Sequence, residues 1–180
     1  SREGANLNVI RVATLFHNIA KLEAERERHA EEGARIAREY LASHGEYPQS
    51  FVDQVAQSVR EHSYQGPLAD VSLETRCLIE GDILDKVGAN GTVLMILRMG
   101  YESRTHMDAG EMIDRVLERG RDARRRVESD AAAGIAHQRL KRVKWFQEWL
   151  GEEVPGLDER GERDGNATDG GSHPKRGRSR

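Results

Sequence analysis

The sequence predicts an all-α fold, on three observations. Apolar residues recur at three- and four-residue steps through most of the 180-residue chain, the spacing of one helix face. Alternating β-branched runs are nearly absent. The periodic segments are separated by Gly, Pro and Ser at positions that start and stop helices. Few residues are aromatic, and 33% charged against 37% apolar residues suit a helix-rich globular domain.

Val9, Val12, Ala13, Phe16 and Ile19 place a first amphipathic helix at residues 6–22. After the charged stretch EAERERHAEE, a second helix carries Gly33, Ile36, Ala37, Tyr40 and Leu41 on one face. Gly45 and Pro48 break it. Ser50, with Asp53 three residues later, reads as a capping box opening SFVDQVAQSVREH. The loop SYQGPLADV follows. Ser72 caps a helix running to Val87 and stopped by Gly88. TVLMILRM has the length of a strand, but its helical neighbours favour a buried helix. Residues 108–126 form a strongly charged helix. Ser129 caps a last one, with Ile135, Val143, Phe146 and Leu150 toward the core.

From Glu152 the pattern ends. GLDERGERDGNATDGGSHPKRGRSR has almost nothing apolar and cannot offset the entropy of ordering. The expected organisation is a helical domain over residues 1–151 and a disordered polar tail over 152–180. The tail ends in the basic run HPKRGRSR, and Asn166-Ala-Thr168 has the form of a glycosylation sequon. There is no internal repeat.

Net charge is −3, so no overall basic bias points to nucleic acid. No apolar run reaches the length of about 18 residues that a membrane span needs. The single cysteine, Cys77, excludes a disulfide framework and suggests a reducing, cytoplasmic setting. The chain starts at Ser1 without Met or signal peptide, as a fragment or trimmed form does.

Of seven histidines, His44, His106, His137 and His173 lie in turns, on charged helices or in the tail, where surface positions are expected. His17, His29 and His62 differ. Each belongs to a separate helix, at a boundary or on a core-facing side. Asp82 brings an oxygen from a fourth, in the apolar context LIEGDILDKVG. Helical bundles build metal sites from side chains converging from different helices, and imidazole with carboxylate suits a divalent first-row metal. Spacing alone also allows buried, hydrogen-bonded polar residues with no metal.

Four segments carry a family resemblance. REGANLNVIRVATLFHNIAK resembles a segment ending in leucine-leucine-His-Asp-isoleucine-glycine. HAEEGARIAREYL and VAQSVREHSYQG follow in order. SLETRCLIEGDILDKVGANG is similar to a closing segment with alanine-Asp-Arg-Leu-Asp. Together they resemble the HD-domain phosphohydrolase superfamily over residues 3–150. That resemblance implies an HD-type bundle with metal ligands in the pattern His, His-Asp, Asp. His17 matches the doublet histidine, and Asn18 stands in the place of its aspartate. Asp82 matches the terminal aspartate. His29 and His62 match the intermediate histidines that serve a second metal or the substrate phosphate. Glu80 and Asp85 are nearby carboxylates, structural or supporting the ligands. The implied cofactor is a divalent cation: Mn, Mg, Co, Fe or Ni. The family's first histidine lies on a helix upstream of the matching segment, and no histidine precedes His17 here.

Asn18 changes the chemistry. Asparagine keeps a carbonyl oxygen but loses the charge, cannot act as a base and bridges two metals poorly. The doublet makes most sense as His-Asp with its aspartate changed by engineering, degeneration or altered metal use. A helical Asn that merely satisfies backbone remains the plain alternative. Two functions are expected from this: a metal-dependent phosphohydrolase acting on a nucleotide or small phosphate ester, impaired at Asn18, with Asp82 and Asn18 in catalytic places, or an inactive HD-like module that binds a ligand or partner.

Overall fold

The computed structural model describes residues 4–25, 28–102 and 107–154. Among them lie seven α-helices and one 3₁₀ turn, and no strand: α1 (Leu7–Phe16), α2 (His29–His44), α3 (Gln49–Glu61), the 3₁₀ turn Leu68–Asp70, α4 (Leu73–Asp85), α5 (Ala89–Glu102), α6 (Ala109–Arg126) and α7 (Asp130–Glu153). None is long and apolar enough to cross a membrane. The tail expected from residue 152 falls, past Val154, outside the described residues, as does His106.

α1 starts where Asn6 accepts the amides of Asn8 and Val9, satisfying donors that have no partner inside the helix. The Asn6 amide in turn donates to Glu74 of α4 at 2.8 Å. Val9, Ala13 and Phe16 turn inward and join Ala34, Ala37 and Leu41 of α2, Val52, Val55 and Val59 of α3, and Leu78 of α4 in the first core.

α1 stops at Phe16, six residues before the expected end at residue 22. The carbonyl of Thr14, which would accept the Asn18 amide in a continuing helix, accepts the His17 ring instead. Beyond it the amides of Ile19, Lys21 and Glu23 reach back three residues, to Phe16, Asn18 and Ala20. Ile19 therefore lies exposed, off the core face its spacing suggested, and Leu22 is exposed as well.

α2 ends on Gly45, whose φ of +65° is the left-handed cap that glycine adopts without a Cβ penalty. Gly33 has a different reason: a Cβ there would meet the Phe16 carbonyl oxygen and Val59 Cγ1, each at 3.3 Å. Its hydrogen lets α2 close onto the ends of α1 and α3.

The Ser50–Asp53 capping box is not formed. α3 begins at Gln49 after Pro48, Ser50 lies inside its first turn, and Asp53 is bound to Gln49 and Arg38. Proline at the helix entrance already sets φ and removes a donor that would need a cap. Ser72 caps α4 as expected, accepting from Thr75. α4 closes at Asp85, two residues short of Val87, with Gly88 at φ +92° beyond it.

Two further cores extend the fold. Ile79 and Ile83 of α4 pack with Leu68, Val127, Ala132 and Ala136. Met99 of α5 packs with Ile113, Val116 and Leu117 of α6 and Val143 of α7. TVLMILRM is helical but only half buried: Val93, Leu94 and Leu97 face solvent. α7 also differs from expectation. Ala132, Ala136 and Val143 face inward, while Ile135 and Phe146 are exposed. Small residues mark its packed stripe because the helices approach closely there; a Cβ on Gly120 of α6 would meet Leu140 Cδ2 at 2.3 Å.

Candidate functional site

His17 and His62 occupy the same position on two helices. Each is the C-cap residue, directly after α1 and α3. Each folds its ring back onto the carbonyl three residues earlier: His17 Nδ1 donates to Thr14 at 2.7 Å, and His62 Nδ1 to Val59 at 2.6 Å. Helix C-termini leave carbonyls unpaired, and a nearby imidazole satisfies one. A neutral ring that donates through Nδ1 presents Nε2 as a lone pair.

Those two Nε2 edges meet the remaining candidates. His29, at the first position of α2, places Nε2 at 3.2 Å from His62 Nε2. The His17 and His62 ring centroids are 5.3 Å apart, those of His29 and His62 5.1 Å, both edge to face. Asp82, in the last turns of α4, stands with Oδ1 at 3.8 Å from His17 Nε2. Residues up to 65 positions apart in the chain thus share one cluster. Its side chains are mostly buried, with His17 and Asp82 each retaining just under a fifth of their exposure.

Electrostatics follow from this packing. The Asp82 carboxylate across the cluster raises the pKa of His17 above 6.5, against the opposing effect of burial. Burial lowers that of His62, and the neighbouring rings of His17 and His29 add to the effect. Burial works against the charge on Asp82, yet contacts from His17 and Lys86 together hold its carboxyl far below the ordinary range. At 3.8 Å the His17–Asp82 pair is a charge pairing and not a hydrogen bond. The nearer neighbour of His17 Nε2 is the Asn18 amide nitrogen at 2.7 Å. With the ring neutral, Asn18 donates and Nε2 accepts. A protonated ring turns Nε2 into a donor toward Asp82 and requires the Asn18 amide to present its oxygen.

Asn18 therefore meets the cluster through the His17 ring. Lys86, one turn after Asp82, forms an ion pair with Asp82 Oδ2. Sequence reading did not single out Lys86, although the i, i+4 spacing after Asp82 is the signal for such a pair. The two supporting carboxylates lie elsewhere. Glu80 is two residues from Asp82, on a different side of α4. It is buried and accepts the amides of Glu128 and Ser129 at 2.8 and 2.7 Å, and the Ser129 hydroxyl at 2.5 Å. It is an anchor for the start of α7. Asp85 is exposed and accepts from Asn90. His44 and His137 are on the surface.

Three imidazoles and a carboxylate are a donor set that suits a divalent first-row metal. Two nitrogens sharing one ion at about 2.1 Å each stand roughly 3.0–3.4 Å apart, and His29 and His62 do so at 3.2 Å. As placed, no group of three or more His, Cys, Asp or Glu among the described residues is arranged to hold an ion; Lys86 and Asn18 engage two of the donors. The residue types and the one nitrogen pair fit a metal.

Residues 1–87, just under half of the chain, match the HD domain family. Solved structures share the fold across more of its length. YpgQ of Bacillus subtilis is 18% identical with a TM-score of 0.69, covering 87% of this chain and 82% of its own. A second YpgQ structure, in complex with ADP, has 18% identity and a TM-score of 0.63, covering 87% and 79%. The Lin1889 protein of Listeria innocua is 18% identical, with a TM-score of 0.64 and coverage of 84% and 77%. No curated protein matches the sequence.

Proposed function

We propose that the chain is a metal-dependent phosphohydrolase acting on a nucleotide or another small phosphate ester. The observation that supports it most is the gathering of His17, His29 and His62 against Asp82, with two of the rings fixed through Nδ1 so that Nε2 faces the cluster. The ADP held by a protein of the same fold makes a nucleotide the favoured substrate class.

His17, His29, His62 and Asp82 are the residues that hold the cation. When bound, it supplies Lewis acidity toward water and a phosphoryl oxygen. The chain does the rest. The Thr14 and Val59 carbonyls fix ring tautomer and orientation, as outer partners do for metal-binding histidines. Lys86 keeps Asp82 ionised and adds a positive charge beside the cluster, the sign that attracts a phosphate ester. Asn18 occupies the place of a carboxylate without its charge, so it orients but takes no proton.

The test is phosphate release from a panel of nucleotides and an aryl phosphate, after chelation and reloading with Mn, Mg, Co, Fe or Ni. The expected outcome is metal-dependent turnover that His62→Ala and Asp82→Ala abolish. Metal binding without turnover on any member supports the second reading, a binding module disabled at Asn18. The 2.7 Å contact between the Asn18 amide and His17 Nε2 favours that reading, because it ties up a donor. Asn18→Asp separates them: restoring an anionic oxygen should tighten Mn binding by at least 10-fold, the order of effect of altering a metal's immediate surroundings. Unchanged Mn affinity removes position 18 from the site.

A further inference from the structure

Most outward helix faces of this domain are charged: α6, for example, exposes Glu111, Asp114, Arg115, Glu118, Arg119, Arg121 and Asp122. α5 departs from this, as α7 does where it exposes Trp145, Phe146 and Trp149. The inward side of α5, Met95, Ile96 and Met99, packs into the third core. Its outward side carries Val93 at 56% exposure, Leu94 at 53%, Leu97 at 64% and Tyr101 at 94%. At 100° per residue these four fall in one arc with Gly100, and no charged residue interrupts it. A Cβ on Gly100 meets nothing, so a second helix can approach closely there.

We infer that this face of α5 is a self-association surface, and that a second copy of the chain covers it. The chain's own remaining segments are excluded by composition. Residues 1–3, 26–27, 103–106 and 155–180 contain one large aliphatic side chain, Leu157, and no aromatic. A partner recognised by charge has nothing to read on the stripe. A lipid surface is disfavoured because an interfacial helix sets its apolar face against a Lys- and Arg-rich one, whereas the other side of α5 is in the core. A two-fold pairing needs no complementary partner, since each copy meets the same apolar patch. The area is sufficient. At about 200 Å² for a fully exposed large side chain, the four leave on the order of 500 Å² in water. Pairing two copies removes about 1,000 Å², the threshold of a specific interface.

Sedimentation velocity of the full chain across the micromolar range tests this. The wild type is expected to shift from monomer to dimer with concentration. Leu97→Glu places two buried charges in a symmetric interface and should weaken association by on the order of 100-fold. Tyr101→Glu should do the same, and at 94% exposure it leaves the fold intact, as circular dichroism will register. Arg119→Glu, on the charged face of α6, should leave the dimer unchanged. A wild type that stays monomeric overturns the inference. So does a dimer that both α5 variants leave intact, which puts the contact elsewhere. Binding of the monomer to phosphatidylcholine vesicles, lost in Leu97→Glu, overturns it by assigning the face to lipid.

Discussion

At the scale of single residues, the two C-cap histidines carry opposite electrostatic signs. His62 binds its proton less readily in the folded chain than the ordinary value of 6.5. The unfolded chain then takes up protons first as pH falls, so the stability that His62 contributes is complete above 6.5 and lost below it. His17 is raised. Its contribution is complete below 6.5 and is lost as pH rises through its folded value. For the chelated protein the two effects make stability peak near pH 6.5. Urea denaturation on either side of that pH should show His62→Asn flattening the acid limb and His17→Asn the alkaline limb, since Asn keeps a donor for the backbone carbonyl but does not titrate. Equal limbs in both variants remove these rings as the cause.

At the scale of elements, two devices set the cluster's geometry. Gly33 lets α2 approach the last carbonyl of α1 and the side of Val59, and it lies one turn after His29. Gly33→Val should cost about 1–3 kcal/mol, the range for overpacking a close contact, and should also weaken Mn binding, because it pushes His29 from His62. Stability lost with metal affinity unchanged separates the packing from the site. Glu80 works between α4 and α7. Its carboxylate satisfies two amides and a hydroxyl at the start of α7, so Glu80→Ala leaves buried donors unpaired and should cost on the order of 1–3 kcal/mol in urea denaturation. A far smaller effect indicates that water replaces the carboxylate.

At the scale of the whole molecule, the cluster joins four helices around the first core, with α4 also reaching the second core and α7. An ion bound there stabilises only the folded chain. At a free concentration 100 times its dissociation constant the gain is about 2.7 kcal/mol. Thermal melting after chelation should therefore shift upward when Mn is added, and Asp82→Asn should remove most of the shift. A shift that survives in Asp82→Asn means that the ion sits elsewhere.

What was readable before the fold follows from what is local. The helices centred on Ala13 and Ala37 were legible because burial imposes a 3.6-residue period on sequence, and those that begin after Ser72 and Ser129 because a cap is a bond between near neighbours. His17, His29, His62 and Asp82 were legible as candidates because each stands at a helix boundary or in an apolar segment and matches a family-like pattern. Tertiary structure decided the rest. α1 ends at Phe16 because the His17 ring takes the Thr14 carbonyl, which no periodicity records. Glu80 and Asp82 look equivalent in LIEGD, but two residues turn a helix by about 200°, so one anchors α7 and the other joins the cluster. The apolar stretch of α5 told its helix type but not its exposure, because burial depends on which neighbours arrive from elsewhere in the chain, and α6 and α7 cover one side of it alone.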